Sequence, residues 1–165
     1  MLLNLKLPAM KKFILLLFIP FVCFSQTYEE LMSINSVDML KKVSIENGYQ
    51  PYAENDESVF YGFNIVKDSI EDKMNKALIY DKKQDMFMFS VYKEISFFGV
   101  KTSIDETEYD LIVDKIKNKC TYHKIIKKDS GDNFVTYSCS DSSFKGKIGF
   151  AIIDGFGFIL NFPEE

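Results

Sequence analysis

The sequence predicts an α+β domain, an antiparallel sheet of about six to seven strands with two helices on one face. The order of elements is the first observation that predicts it: a helix and three strands, then a helix and four strands. Turn signals between successive strands are the second. The third is the aromatic content, since 16 phenylalanines and nine tyrosines are ample material for a core. Residues 26–165 have the length of a single domain.

The first half opens with a short helix over residues 36–48. Ser36 is its predicted N-cap, and Asn47-Gly48 is its stop signal, with Pro51 just beyond. Apolar residues at helical spacing form its buried stripe: Val37, Leu40 and Val43. Strand-like runs follow at residues 58–66, 76–81 and 86–92, and a polar turn over residues 82–85 joins the last two.

The second half opens with a longer helix over residues 106–119. Its apolar stripe recurs at spacings of three and four: Tyr109, Ile112, Val113, Ile116 and Cys120. Asp105 and Glu108 have the spacing of an N-terminal capping box. Four strands follow at residues 121–127, 134–139, 147–153 and 156–162, and Asp154-Gly155 is a strong two-residue hairpin signal between the last two.

Two short matches between the halves suggest an internal duplication with a period near 70 residues. Asp38-Met-Leu in the first helix matches Asp110-Leu-Ile in the second, and the run from Asp85 matches the run from Asp154 before the last strand of each half. The resulting order of elements is αβββ-αββββ.

The amino terminus has the pattern of a secretory signal peptide. Lys11 and Lys12 precede an apolar run over residues 13–22, and Cys23-Phe24-Ser25 supplies the small residues of a cleavage site. We expect cleavage between Ser25 and Gln26, which places the domain outside the cytoplasm, in the periplasm or the extracellular medium. Met10 is a better start of translation than Met1, and residues 1–9 would then lie upstream of the working protein.

Two alternatives to a cleaved signal remain open at this stage. The apolar run is shorter than the roughly 20 residues that a membrane-spanning helix needs, but it could be a buried helix of the domain. A lipoprotein anchored through Cys23 is the other alternative, although Val22 is not the small residue that usually precedes a lipidated cysteine.

The charge of the chain argues against nucleic-acid binding. Residues 1–25 carry three of the 20 lysines and none of the 24 acids, so the chain from Gln26 onward has a formal net charge of −7. It contains no arginine, the residue whose planar guanidinium best matches phosphate groups. The predicted partners are therefore another protein or an envelope ligand, with no nucleic acid and no transmembrane segment after signal removal.

Removal of the leader leaves two cysteines, Cys120 and Cys139, in a compartment that permits oxidation. The strands over residues 121–127 and 134–139 fold back on each other about the turn signal at residues 129–132. This places both cysteines at the base of one hairpin, and we predict a disulfide between them. A redox or metal site is the alternative, but there is no Cys-x-x-Cys spacing to support it.

The sequence does not provide a recognisable catalytic or cofactor site. His123 is the sole histidine and lies outside any hydrolase or metal motif, so we expect a surface or packing role. Serines and Asp141 form a polar stretch over residues 138–143, whose simplest interpretation is a loop. The acids at residues 54–57 and 129–132 lack the spacing of a known calcium loop. We predict no catalytic residue, no metal site and no cofactor.

Two functional hypotheses remain. Residues 86–92 and 156–162 alternate poorly, so their apolar side chains are either covered on both faces or form an aromatic binding surface. The first hypothesis is a non-catalytic binding module that uses this face or an exposed sheet edge; its layout is similar to that of some secreted inhibitor proteins. The alternative is a small secreted hydrolase that uses two carboxylates in a cleft.

Overall fold

A computed structural model describes residues 26–67, 72–97, 100–103 and 107–163 of the chain, with the side chains of residues 94–97 and 100–103 left aside. The predicted signal peptide and the position of Ser25 lie outside these residues. The helices are α1 (Tyr28–Ser33), α2 (Val37–Glu46) and α3 (Glu108–Lys119). The strands are β1 (Gln50–Glu54), β2 (Ser58–Phe63), β3 (Lys76–Asp81), β4 (Met86–Tyr92), β5 (Glu94–Phe97), β6 (Val100–Ser103), β7 (Thr121–Lys127), β8 (Asn133–Ser138), β9 (Lys147–Ile153) and β10 (Phe156–Phe162). No helix of the described residues has the length and apolarity that a membrane crossing requires.

The α+β class is confirmed, with more strands than predicted. Eight antiparallel strands form the main sheet in the order β1-β2-β3-β4-β10-β9-β8-β7, and β5 and β6 form a separate hairpin. Each half of the chain contributes a four-stranded meander, and the meanders join through their last strands, β4 and β10. Because these two strands are antiparallel, a half-turn about an axis normal to the sheet relates the strand orders of the two halves.

The proposed match between Asp85 and Asp154 fits the turns but not the strands after them. Both aspartates have positive φ angles, 51° and 49°, in the hairpins β3–β4 and β9–β10. At that offset, however, Phe87 would be equivalent to Phe156. Phe87 is fully buried under the helices, whereas Phe156 points away from them. Asp85 directly precedes β4, whereas Gly155 separates Asp154 from β10, so the two strands are one residue out of step at this offset.

Five features differ from the sequence prediction. Helix α1 and strand β1 were missed, as was the hairpin β5–β6. Strand β2 ends at Phe63 rather than at residue 66. Helix α3 begins at Glu108, and its N-cap is Thr107, whose backbone N–H and hydroxyl donate to the Asp110 carboxylate at 3.0 and 2.7 Å. The predicted cap at Asp105 lies outside the described residues.

The three helices pack on one face of the main sheet. The register places side chains of six adjacent strands in one row beneath them: Tyr61, Leu78, Phe89, Ile159, Phe150 and Val135. These residues share one apolar cluster with Leu31 of α1, Leu40 of α2 and Ile112 of α3. Burial of these side chains is the main source of the stability of the domain, at about 1.5–3 kcal/mol for each large apolar side chain.

The cysteines lie where the hairpin argument predicted. Thr121 pairs with Ser138 at the base of the β7–β8 hairpin, and the sulfurs of Cys120 and Cys139, one residue further out, are at a disulfide distance of 2.03 Å. The bond joins the end of α3 to the end of β8. Tyr28 lies beside it, with its hydroxyl 3.4 Å from the Cys120 sulfur, so α1 packs at the same point.

A candidate binding face on the sheet

The face of the main sheet that points away from the helices is called the open face here. Its side chains alternate with those of the core, and the register aligns Phe60, Ile79 and Met88 on three neighbouring strands. Phe158 and Phe156 extend this apolar row onto β10. These five residues are partly exposed, and no helix of the described residues packs on them.

This arrangement explains the poor alternation of β4 and β10. In β4, Phe87 and Phe89 are fully buried on the helix side, while Met86 and Met88 are half-buried on the open face. The strand is apolar on both sides because each side contacts apolar neighbours. On the open face, Leu160 is buried in a cluster with Phe134 and Phe162, and Met86 and Met88 pack against this cluster while staying partly exposed.

A shallow depression of about 230 Å³ lies in the open face and is lined by Phe60, Ile79, Met88, Phe156 and Phe158. Aromatic contacts hold its walls. The rings of Phe156 and Tyr92 meet edge to face with centroids 4.9 Å apart, and the rings of Phe156 and Phe158 are 6.3 Å apart. Apolar pockets with aromatic walls are typical of the centres of protein interfaces.

The other end of the open face is basic. A second depression, of about 560 Å³, is lined by Lys124, Lys128 and Lys147 together with His123 and the ring of Phe162. The Lys128 ammonium lies 4.8 Å from the centre of the Phe162 ring, a cation–π contact. Lys147 and Phe162 are paired across the adjacent strands β9 and β10, so their side chains lie on the same face of the sheet.

The two edges of the main sheet are poorly suited to pairing with another strand. Strand β1 contains Pro51 and has a register shift between Pro51 and Ala53. Strand β7 has a shift between Tyr122 and Lys124, and it carries two lysines. Bulges, proline and lysine are the devices that block edge-to-edge association. This observation favours the open face over an edge as the binding surface.

His123 is exposed within the irregular part of β7 and lines the basic depression. In the polar stretch over residues 138–143, Asp141 accepts a hydrogen bond of 2.7 Å from the Tyr28 hydroxyl, and the Ser143 backbone donates to Met32 at 2.7 Å. This stretch therefore fastens the β8–β9 loop to α1. In the turn at residues 129–132, Ser130 donates to Asp132 at 2.7 Å.

Cys120, Cys139 and Asp141 have ligand atoms within 4.8 Å of one another, a spacing that a metal ion could use. The two sulfurs are, however, at bonding distance. A cysteine binds a metal as a thiolate, and a disulfide sulfur carries no such charge. This cluster therefore fits a structural link and does not fit a metal centre in the oxidised protein.

A third depression, of about 310 Å³, lies on the helix side and is lined by Tyr80, Asp85 and Asn161 among others. Tyr80 donates to Asp85, and Asn161 accepts from the Phe87 backbone at 2.6 Å and donates to the Asp85 carbonyl at 3.3 Å. These three polar side chains are thus already paired. A fourth depression, beside β1, has Glu54 as its one carboxylate. None of these four depressions is lined by the two acids that a glycosidase needs.

One buried ion pair lies between the halves of the chain. Lys76 of β3 donates to Glu108 at the start of α3, whose side chain is 7% exposed. Desolvation raises the pKa of Glu108, the Lys76 ammonium lowers it in part, and Glu30 adds to the increase. The second carboxylate oxygen of Glu108 has no hydrogen-bond partner among the described residues. The pair connects α3 to the sheet and faces the core.

The basic depression was missed in the sequence analysis. Lys124 lies in β7, Lys128 directly follows that strand, and Lys147 lies in β9, which β8 separates from β7 in the sheet. The strand order could not be deduced from the sequence, so no pattern indicated that these cations share a face. The register shift between Tyr122 and Lys124 also changes the phase of the alternation, so the face of Lys124 cannot be counted from Tyr122.

Comparison with known proteins did not reveal a relative: no protein-family model matches the chain, and neither the curated proteins nor the solved structures include a significant match.

Proposed function

We propose that this protein is an exported, non-catalytic binding module that holds another protein on the open face of its sheet. The observation that carries the proposal is the row of partly exposed apolar side chains formed by Phe60, Ile79, Met88, Phe156 and Phe158. A contiguous apolar surface on a soluble domain is costly to leave in water, and such patches commonly mark interaction sites.

Protein is the ligand class that this surface suits best. The depression is shallow and open, whereas small-molecule sites are usually deep and bury most of their ligand. Phenylalanine and methionine are enriched in protein interfaces, and methionine adapts its shape to a partner. The blocked sheet edges favour contact through side chains of the face over the addition of a strand.

Export is part of the same proposal. It is supported by the leader pattern over residues 10–25 and by the cysteine pair at disulfide distance, since disulfides persist in oxidising compartments. The carboxylate-dependent hydrolase is not proposed, because the depressions described above offer one acid at most.

The test is a comparison of partner capture by residues 26–165 with and without a change on the open face. Wild type, Phe158→Ser and the control Leu111→Ser are immobilised and exposed to envelope extract and culture fluid. Leu111 is a matched control because it is an exposed apolar residue, 58% accessible, on the outer side of α3. Unfolding temperatures of all three proteins establish that they are folded.

We expect a partner that is retained by wild type and by Leu111→Ser, and lost by Phe158→Ser. Equal retention by all three proteins would reject the open face as the binding site. Loss with Leu111→Ser alone would place the site on the helices. A domain that binds a further copy of itself through the open face would appear as a concentration-dependent dimer of the wild type.

A further inference from the structure

We infer that the partner contacts the open face with a segment that combines acidic and apolar side chains, the acids at the basic depression and an apolar side chain in the 230 Å³ depression. This inference rests on the proposed function and adds the chemistry of the partner to it. It is carried by the distribution of lysines over the molecule.

Most lysines of the described residues are neutralised by a nearby carboxylate. Nine of them lie within 4.0 Å of an acid, on the helices, on β3 and on the loops around them. Lys124, Lys128 and Lys147 have no such partner among the described residues, and all three line the same depression. In a chain with more acids than bases, three neighbouring unpaired cations form a local field of the opposite sign.

The apolar and basic depressions are close enough for one short segment. Phe158 lines the first and Phe162 the second, and both are on β10. Four residues of strand rise roughly 13 Å. An extended peptide of about five residues covers that distance, so one segment can place an apolar side chain against Phe158 and a carboxylate near Lys147.

An acidic protein segment fits these cations better than a polyanion does. The chain from Gln26 onward carries a formal net charge of −7, which opposes a polyanion that extends beyond the three lysines. A segment with a few carboxylates experiences only the local field. The lining also includes Ile126 and Phe162, which offer apolar contact to a peptide.

The test begins with selection from a random peptide library displayed on phage. Three forms of residues 26–165 are used as bait: wild type, the double variant Lys124→Glu/Lys147→Glu and the control Lys42→Glu. Lys42 undergoes the same charge reversal on α2, where its side chain is 62% exposed. Two glutamates follow Pro163 in the sequence. All three baits therefore carry Glu164→Gln and Glu165→Gln, which removes these side chains as competitors for the lysines.

We expect wild type and Lys42→Glu to enrich peptides that combine acidic with aromatic or aliphatic residues. A synthetic copy of an enriched peptide should bind the double variant about tenfold more weakly and should lose affinity as salt is raised. Side-chain NMR of Met88 and Ile79 then shows whether the peptide lies on the open face.

The outcomes separate the inference from the proposed function. Some peptides could shift the NMR signals of Met88 and Ile79 without being acidic, or could bind the double variant as tightly as the wild type. Either result would overturn the acidic chemistry of the partner and leave the open face as the binding site. Peptides that leave the NMR signals of Met88 and Ile79 unshifted would overturn both the inference and the proposed function. Tighter binding of heparin or of anionic phospholipid vesicles at the same lysines would overturn the inference in favour of a polyanion site.

Discussion

The ring of Tyr109 lies directly against the backbone of Gly157, so closely that a Cβ atom at residue 157 would come within 2.5 Å of the ring. This contact docks the first turn of α3 on the central strand β10. The Tyr109 hydroxyl donates to the Ala151 carbonyl at 3.1 Å, which fixes the ring over the sheet. Burial raises the pKa of Tyr109, so this hydroxyl stays protonated and able to donate in neutral solution.

Gly157→Ala should therefore destabilise the domain. The added methyl must displace the ring or move α3, and overpacking of this kind costs about 1–3 kcal/mol. Urea denaturation of the variant and the wild type measures the difference. In a Tyr109→Leu background the same glycine change should cost less, because the smaller side chain can move aside. Equal costs in the two backgrounds would show that the clash is with another group.

The disulfide should contribute substantially to stability. It closes a loop whose ends are 19 residues apart, which corresponds to about 3 kcal/mol on the entropy model. We expect the double variant Cys120→Ser/Cys139→Ser to unfold roughly 10 °C below the wild type. A reducing agent should lower the unfolding temperature of the wild type and leave the variant unchanged. Insensitivity of both proteins to reduction would mean that the bond does not form.

Glu108 predicts a pH dependence of stability. Its folded pKa is raised by burial, so its contribution to stability is fully present below the ordinary carboxyl pKa of 4.5 and is lost as pH rises through the folded value. The free energy of unfolding of the wild type should fall relative to that of Glu108→Gln as pH rises from 4.5 towards neutrality. Chemical denaturation across this range measures it, with the exposed Glu46→Gln as control. Parallel curves for wild type and Glu108→Gln would contradict the prediction.

The export proposal predicts the composition of the natural product. After cleavage between Ser25 and Gln26, the secreted chain should begin at Gln26 and lack two hydrogen atoms relative to the reduced form. Intact-mass spectrometry of the protein recovered from its native host checks both features at once. A product that begins at Met1 or Met10, or one with both Cys120 and Cys139 free, would contradict export.

The sequence was sufficient to predict elements with strong periodicity. Four of the five predicted stripe residues of α3 are buried, and Cys120 is its partly buried C-cap. The Asp154-Gly155 turn has positive φ at both residues. It was insufficient where periodicity is weak. Helix α1 has six residues, too few for a repeat to be visible, and its capping box at Thr27 and Glu30 was the one available signal. Strand β1 is exposed along its whole length, so its side chains show no alternation.

The candidate site was predictable only where it depends on a local sequence pattern. Within β4, and again within β10, the apolar residues follow one another in the sequence. The poor alternation of each strand already indicated a binding face or a second covered face. The basic depression depends on strand order and on the irregular register at Tyr122, which are properties of the whole sheet. Residues that meet only through long-range pairing leave no local pattern.

The most direct test of the binding face is methyl NMR of the domain with its captured partner. We expect the methyl signals of Ile79 and Met88 on the open face to shift or broaden when the partner is added. Those of Ile45 and Leu111, which are exposed on α2 and α3, should remain unchanged. Shifts at Ile45 and Leu111 with none at Ile79 and Met88 would show that the partner binds on the helices and not on the open face.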